Sequence, residues 1–199
     1  DSMDLAHDQL HVLRVYRWAI RIAEDVDACP DLCGAAALLH DIVNVPKESK
    51  LRSQGSTLSA IKGAAFLPTS GYSSTETRQI VEGIRTCSWS KGLLPTNDIG
   101  RVLQDADRLD AIGEIGIARN IACAQAMSSR GNDGQFYHAE DLLGNSSRDL
   151  DDKRYAIDHF PMKLLRLKAT FHSSLAQKEA QRRHQFLLSF LDELQRDVQ

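Results

Sequence analysis

His40-Asp41 joins an imidazole to a carboxylate at the end of the apolar run Ala35-Ala36-Ala37-Leu38-Leu39. Both groups can bind a divalent ion, and a carboxylate buried at a helix end must be paired, hydrogen-bonded or metal-bound. An isolated pair of this kind is ordinarily a core histidine followed by a helix-terminating aspartate. Here residues of the same chemistry lie on both sides. Upstream is His7-Asp8-Gln9-Leu10-His11-Val12-Leu13-Arg14-Val15; downstream is Gln104-Asp105-Ala106-Asp107-Arg108-Leu109-Asp110. His7 and His11 share one side of a helix at i, i+4, so spacing alone leaves both as candidate ligands. Asp105 and Asp107 compete in the same way, against the ordinary reading of an acidic helical stripe as a solvated face. Asp8 follows His7, but no buried apolar helix precedes that pair.

The elements that must hold these residues read as helices. The first is expected over about Leu5 to Asp27, with Leu13, Tyr16, Ile20 and Ala23 on one face. Asp31 after Pro30 is a reasonable N-cap for a buried helix from about Asp31 to His40. Pro46, Lys47, Lys50, Arg52 and Gly55 mark the stretch from Asn44 to Ser56 as a loop. It follows His40-Asp41 directly, so Lys47, Lys50 and Arg52 are placed to meet phosphate oxygens, or are solvated loop charges. A short helix from about Thr57 to Leu67 should bury Leu58, Ile61 and Ala65. Ser73 and Glu76 form a capping box for the next helix, which runs to about Thr86.

Asn97 can cap the helix that carries Asp105 and Asp107, with Val102, Leu103, Ala106, Leu109 and Ile112 as its apolar stripe. Gly113 and Gly116 fall inside a helical pattern, at a cost in helix stability that suggests close backbone packing. From Ser128 to Asp149 the composition shifts to Gly, Ser, Asn and Asp. Asp158-His159 is a further acid–imidazole pair, placed either at a site wall or in a structural hydrogen bond. Lys163 is a candidate phosphate contact. Pro161 divides or kinks its element, and a last helix from about Phe171 to Asp197 shows Phe186, Leu187, Phe190 and Leu194 as its stripe. There is no β alternation, Walker A loop, GxGxxG fingerprint or GxSxG elbow. The chain reads as all-α and as a single domain over 1–199, with a core at about 6–127, a flexible excursion at about 128–149 and C-terminal helices at about 151–197.

The order His11, then His40-Asp41, then Asp107, each on an expected helix, resembles the HD-domain superfamily of metal-dependent phosphohydrolases. The closer likeness is to a small bacterial branch with HxxRV, LLHDI and QDADRLDAIG segments, and it runs from about Ala6 to Leu167. It includes the stretch from Leu150 to Phe160. The resemblance puts the ligand at the histidine three residues before Arg14-Val15, which is His11, and selects Asp107 from the Ala-Asp-Arg-Leu pattern. Related sequences read His-Ser-aromatic-Ser where this chain has Cys87-Ser88-Trp89-Ser90. Cys87 therefore stands where a histidine is expected: if that histidine binds substrate in the family, a thiol cannot replace imidazolium against a phosphate, and otherwise Cys87 is simply a buried, inert thiol.

The set His11, His40, Asp41 and Asp107 suits one divalent ion, with Mn²⁺, Fe²⁺ or Mg²⁺ first and Zn²⁺ as a further option. Two carboxylates neutralise a dication, which keeps it able to polarise a phosphoryl oxygen and a water. Asp41, with His40, is the expected catalytic group, positioned to orient or deprotonate the attacking water. Lys47, Arg52, Cys87 and Lys163 are the expected substrate contacts. The resemblance implies hydrolysis of a phosphate ester or anhydride, with nucleotides as the leading substrate and triphosphate cleavage to monophosphate and pyrophosphate as one route. The alternative is an HD-fold module that keeps its metal and senses a nucleotide without turnover, which Cys87 favours.

The totals bound the rest. A net charge of −3 over 199 residues carries no basic excess for non-specific nucleic-acid binding. No apolar stretch approaches a membrane span. Asp1 and Asp4 at the start give no signal peptide, and the first motif lies so close to the start that an earlier segment is expected. Cys29, Cys33, Cys87 and Cys123 lack paired CxxC spacing and read as reduced thiols of a cytoplasmic protein. The partner is a small phosphorylated molecule; no oligomeric state is implied.

Overall fold

Helix α1, Gln9–Asp25, gathers His11, Val15, Ala19, Ile22 and Ala23 into one buried stripe. The periodicity predicts Leu13, Tyr16, Ile20 and Ala23 as the inward face, yet Leu13 is exposed. The stripe is rotated to take in His11, so a polar residue lies in line with the apolar core. The computed structural model describes residues 8–45, 49, 51–128, 133–146 and 148–198, with Arg52 described by its backbone only. Helix α2 is Pro30–Leu39. Proline occupies its first turn and Cys29 is the N-cap, so Asp31 lies inside the first turn instead of capping it, where its charge favours the helix dipole. Gly34 sets how close α1 and α2 come: a Cβ there would lie 2.8 Å from Tyr16 Cε2.

Helix α3, Gly55–Phe66, buries a face of small residues, Ser56, Ser59, Ala60 and Gly63. Ile61, expected in the core, is exposed. Helix α4, Ser74–Thr86, begins with the predicted capping box: Glu76 N donates to Ser73 Oγ and Ser73 N donates to Glu76 Oε2. Helix α5, Asp98–Asp110, starts after Asn97, whose Oδ1 accepts Gly100 N at 2.8 Å. Its apolar stripe is the predicted one, with Val102, Leu103, Ala106 and Leu109 buried.

Gly113 does not sit within a continuous helix. Its φ of +76° breaks the chain between α5 and α6, Gly113–Ser128. A Cβ on Gly116 would collide with Ala111 O, so that glycine is required by a close backbone approach. Helix α7, His159–Met162, is one short turn that contains Pro161. Helix α8 runs over Ser174–Asp197, starting later than expected because Phe171 is extended and Ser173 Oγ accepts Ala176 N. Its buried positions are Ala176, Ala180, Leu187 and Leu191, and Phe186 is exposed.

Contacts sort the chain into two compact units: Gln9–Arg108 with His172–Ala176, and Leu109–Phe171 with Gln177–Gln199. In the first, α1 packs on α2, α2 on α4, and α3 on α4. In the second, Phe160 stacks on Phe190 and Leu164, Leu167 and Leu187 are buried. The stretch before α7 has no helix among its described residues up to Tyr155. It is tied instead by Gln135 N donating to Arg154 O and Ala156 N to Gln135 O. An isolated parallel bridge joins Gln135 to Tyr155; the described residues otherwise form no strand, and the fold is all-α. No helix among them is long and apolar enough to cross a membrane. All four cysteines are free thiols.

Candidate metal centre

Helix α2 ends where its apolar run ends, and His40 is its C-cap. His40 Nδ1 donates to Ala37 O at 2.7 Å, which fixes the tautomer and leaves Nε2 as the lone-pair nitrogen. That nitrogen faces His11 Nε2 from α1 at 3.2 Å. Asp41 Oδ2 lies 3.7 Å from each of these nitrogens. Asp107 Oδ1, from α5, lies 3.7 Å from His11 Nε2 and 4.0 Å from His40 Nε2. Metal–ligand bonds of about 2.1 Å place neighbouring octahedral ligands about 3 Å apart and opposite ones about 4 Å apart. The observed separations fall in that range, and the chemistry of the donors fits a divalent ion. One ligand atom from each of His11, His40 and Asp107 lies within 4.8 Å of the others, close enough for one ion to be shared.

Exposure is uneven across the cluster. The imidazoles are 0% and 2% exposed, whereas the carboxylates of Asp41 and Asp107 are 34% and 30% exposed. The site therefore has a buried nitrogen floor and a carboxylate rim open to solvent.

The two aspartates of α5 take different paths. Asp105 is fully buried and accepts three hydrogen bonds, from His172 N, Ser173 N and Ser173 Oγ, each at 2.8 Å. Its carboxylate is committed to the start of α8, and Asp107 is the one turned to the histidines. Gln104 adds to this anchorage. Its Nε2 donates to Thr86 O and Leu93 O, and its Oε1 accepts from His172 Nε2. Arg108 packs its guanidinium over Trp89, 5.6 Å from the ring centroid.

Cys87 caps α4 and is 5% exposed. Burial, with help from Asp107 and Asp41, pushes its thiol well above the ordinary value, and Lys91 pulls the other way. It is thus a neutral side chain within electrostatic reach of both carboxylates. Lys91 carries no mark in the sequence beyond its position after a serine-rich turn. Its Nζ donates to Thr57 Oγ1 of α3 at 2.5 Å.

His7 and Lys47 lie outside the described residues, as does the side chain of Arg52. Lys163 belongs to the second unit, at the C-cap of α7. Asp158-His159, in the same unit, is a structural pair. Asp158 accepts both Arg148 Nη atoms, at 2.7 and 2.6 Å, and Asp151 N at 2.8 Å; His159 Nδ1 meets Asp152 Oδ2 at 2.7 Å.

A helical bundle that brings a histidine, a His-Asp pair and a later aspartate together defines a class, and the model of the HD domain matches residues 10–112. The chain belongs to the HD-domain family of hydrolases. It is similar to the Bacillus subtilis protein YpgQ, at 33% identity over 196 residues that cover 96% of this chain and 84% of that one. The crystal structure of YpgQ in complex with ADP matches with a TM-score of 0.74 at 32% identity, covering 97% of this chain and 90% of that chain. An HD-superfamily hydrolase from Bacillus thuringiensis matches with a TM-score of 0.69 at 28% identity, over 96% and 86% of the two chains.

Proposed function

We propose that this protein is a metal-dependent phosphohydrolase acting on nucleotides, with triphosphate cleavage to monophosphate and pyrophosphate as one route. The observation that carries this reading is the convergence of His11, His40, Asp41 and Asp107 with its carboxylates at the solvent side. The ADP complex of the similar YpgQ supports a nucleotide ligand. In this reading the four residues hold one divalent ion, with Mn²⁺, Fe²⁺ or Mg²⁺ preferred over Zn²⁺. The ion supplies Lewis acidity toward a phosphoryl oxygen and toward water. His11 and His40 supply neutral nitrogens, and the Ala37 carbonyl keeps the His40 ring in register. Asp41 is partly exposed, so one carboxylate oxygen can accept the proton of a water as that water attacks phosphorus. Of the expected substrate contacts, Cys87 contributes shape without charge, while Lys47 and Arg52 follow Asp41 closely in sequence.

The test is to incubate Mn²⁺-loaded protein with ribo- and deoxynucleotides and phosphomonoesters, and to measure pyrophosphate and orthophosphate separately. Pyrophosphate release that is lost in Asp107→Ala is the expected result. Orthophosphate release instead would make it a phosphatase. Metal and nucleotide binding with no release of either product would make it a sensor, the reading that the neutral Cys87 favours.

A further inference from the structure

We propose that Lys91 grips the far end of a polyphosphate chain whose near end lies at the His11, His40, Asp41 and Asp107 cluster, so that the site selects phosphoanhydrides over phosphomonoesters. The inference rests on the phosphohydrolase reading and adds to it a residue that sets the preference for phosphoanhydrides.

Three observations place Lys91 there. First, Lys91 sits in a tight turn that leaves α4 at Cys87. Residues Trp89–Lys91 form a 3₁₀ turn closed by Lys91 N to Ser88 O and Gly92 N to Trp89 O, and Gly92 has a φ of +60°. The backbone position is thus fixed by local geometry that favours glycine at the exit. Second, Lys91 Nζ is held by Thr57 Oγ1 on α3. Two residues on, Ser59 Oγ accepts Val43 N at 3.2 Å, and Val43 follows Asp41 by two residues. One turn of α3 therefore ties the Lys91 turn to the segment that carries Asp41. Third, Asp107, Asp41 and Lys91 all act electrostatically on the buried Cys87 thiol, the two carboxylates raising it and the ammonium lowering it, in keeping with the tie through α3.

The chemistry follows from charge and donors. Two carboxylates balance a dication, so the later phosphates of a bound chain need a cation from elsewhere. An ammonium has three donors; Thr57 takes one and sets the direction of the other two. Lys91 is half-buried, which limits screening without preventing contact with a ligand from solvent. A monoester, with one phosphate at the carboxylate rim, does not need this contact.

Titration calorimetry with orthophosphate and tripolyphosphate, in buffer with free Mn²⁺ in excess of the probe, separates the possibilities. In Lys91→Gln, the dissociation constant for tripolyphosphate should rise about tenfold or more while that for orthophosphate changes less than about twofold. Lys91→Arg should return tripolyphosphate binding to within about threefold of the parent, and Thr57→Val should give a smaller loss than Lys91→Gln. Mn²⁺ stoichiometry should be the same in all. Unchanged tripolyphosphate binding in Lys91→Gln, or equal weakening of both probes, overturns the role of Lys91 alone. A parent protein that binds Mn²⁺ and neither probe overturns the phosphohydrolase reading, and this inference with it.

Discussion

Two clusters of charged and polar groups in this chain are resolved in opposite ways. Around Arg148, the buried Asp158 is met by a guanidinium in bidentate contact and by a backbone N–H, and Asp141 Oδ2 accepts Arg148 Nε at 3.0 Å. Each carboxylate there faces protein donors. Around His40, two imidazole nitrogens and two carboxylate oxygens converge on each other, with the nitrogens at the bottom and the oxygens at the rim. The first arrangement is complete with protein groups alone. The second gathers the His40 Nε2 lone pair, His11 Nε2 and two carboxylates around one point, an arrangement that a bound cation would stabilise. An aspartate next to a histidine is therefore no guide by itself; what faces the pair decides.

The largest effect should separate the two clusters. Asp107→Ala should weaken divalent-ion binding by more than about 100-fold, read by calorimetry or metal content, with helical circular dichroism unchanged. Retained metal binding would break the comparison at its centre. Arg148→Met should do the opposite. It leaves the buried Asp158 without its guanidinium and should cost about 4 kcal/mol in denaturant unfolding, while metal stoichiometry stays the same. Next in size, Asp105→Asn keeps an acceptor for the 172–173 turn but loses the charge. It should cost about 2 kcal/mol and leave metal bound, so loss of metal in this variant and not in Asp107→Ala would reverse the assignment of the two aspartates.

The smallest effect is a change of slope. Burial holds the His172 imidazole below its ordinary value; Arg108 and Arg101 push the same way, and Asp105 opposes them. The unfolded chain then binds the proton first. Stability that is present above the unfolded value of about 6.5 should drain as pH falls from there to the depressed folded value. His172→Gln keeps a donor toward Gln104 and should flatten that part of the stability–pH curve. An unchanged slope would remove His172 from the account.

Much of this arrangement is legible in the residues, and the exceptions share a cause. The capping box at Ser73 and Glu76 and the Asn97 cap are local, and the structure has both. The stripe of α5 is also read correctly, because one periodic face carries it. The inward faces of α1, α3 and α8 are not. In α1 the buried face includes a histidine, and in α3 it consists of serine, alanine and glycine, so hydrophobicity points elsewhere, at Leu13 and Ile61. Asp105 and Asp107 are indistinguishable by type. What separates them is a turn at residues 172–173, far along the chain, that no local pattern announces. Lys91 is invisible for a similar reason: its partner is Thr57, and a single lysine in a serine-rich turn looks like any solvated charge.

The bond from Asp105 to the 172–173 turn also bears on how the protein is made. Helix α5 leaves the ribosome long before Ser173 does. Until that turn arrives, Asp105 is a carboxylate bound for the interior without its three donors, and the helix carrying Asp107 cannot settle. A nascent chain stalled before His172 should therefore fail to load metal even though every proposed ligand has already been synthesised.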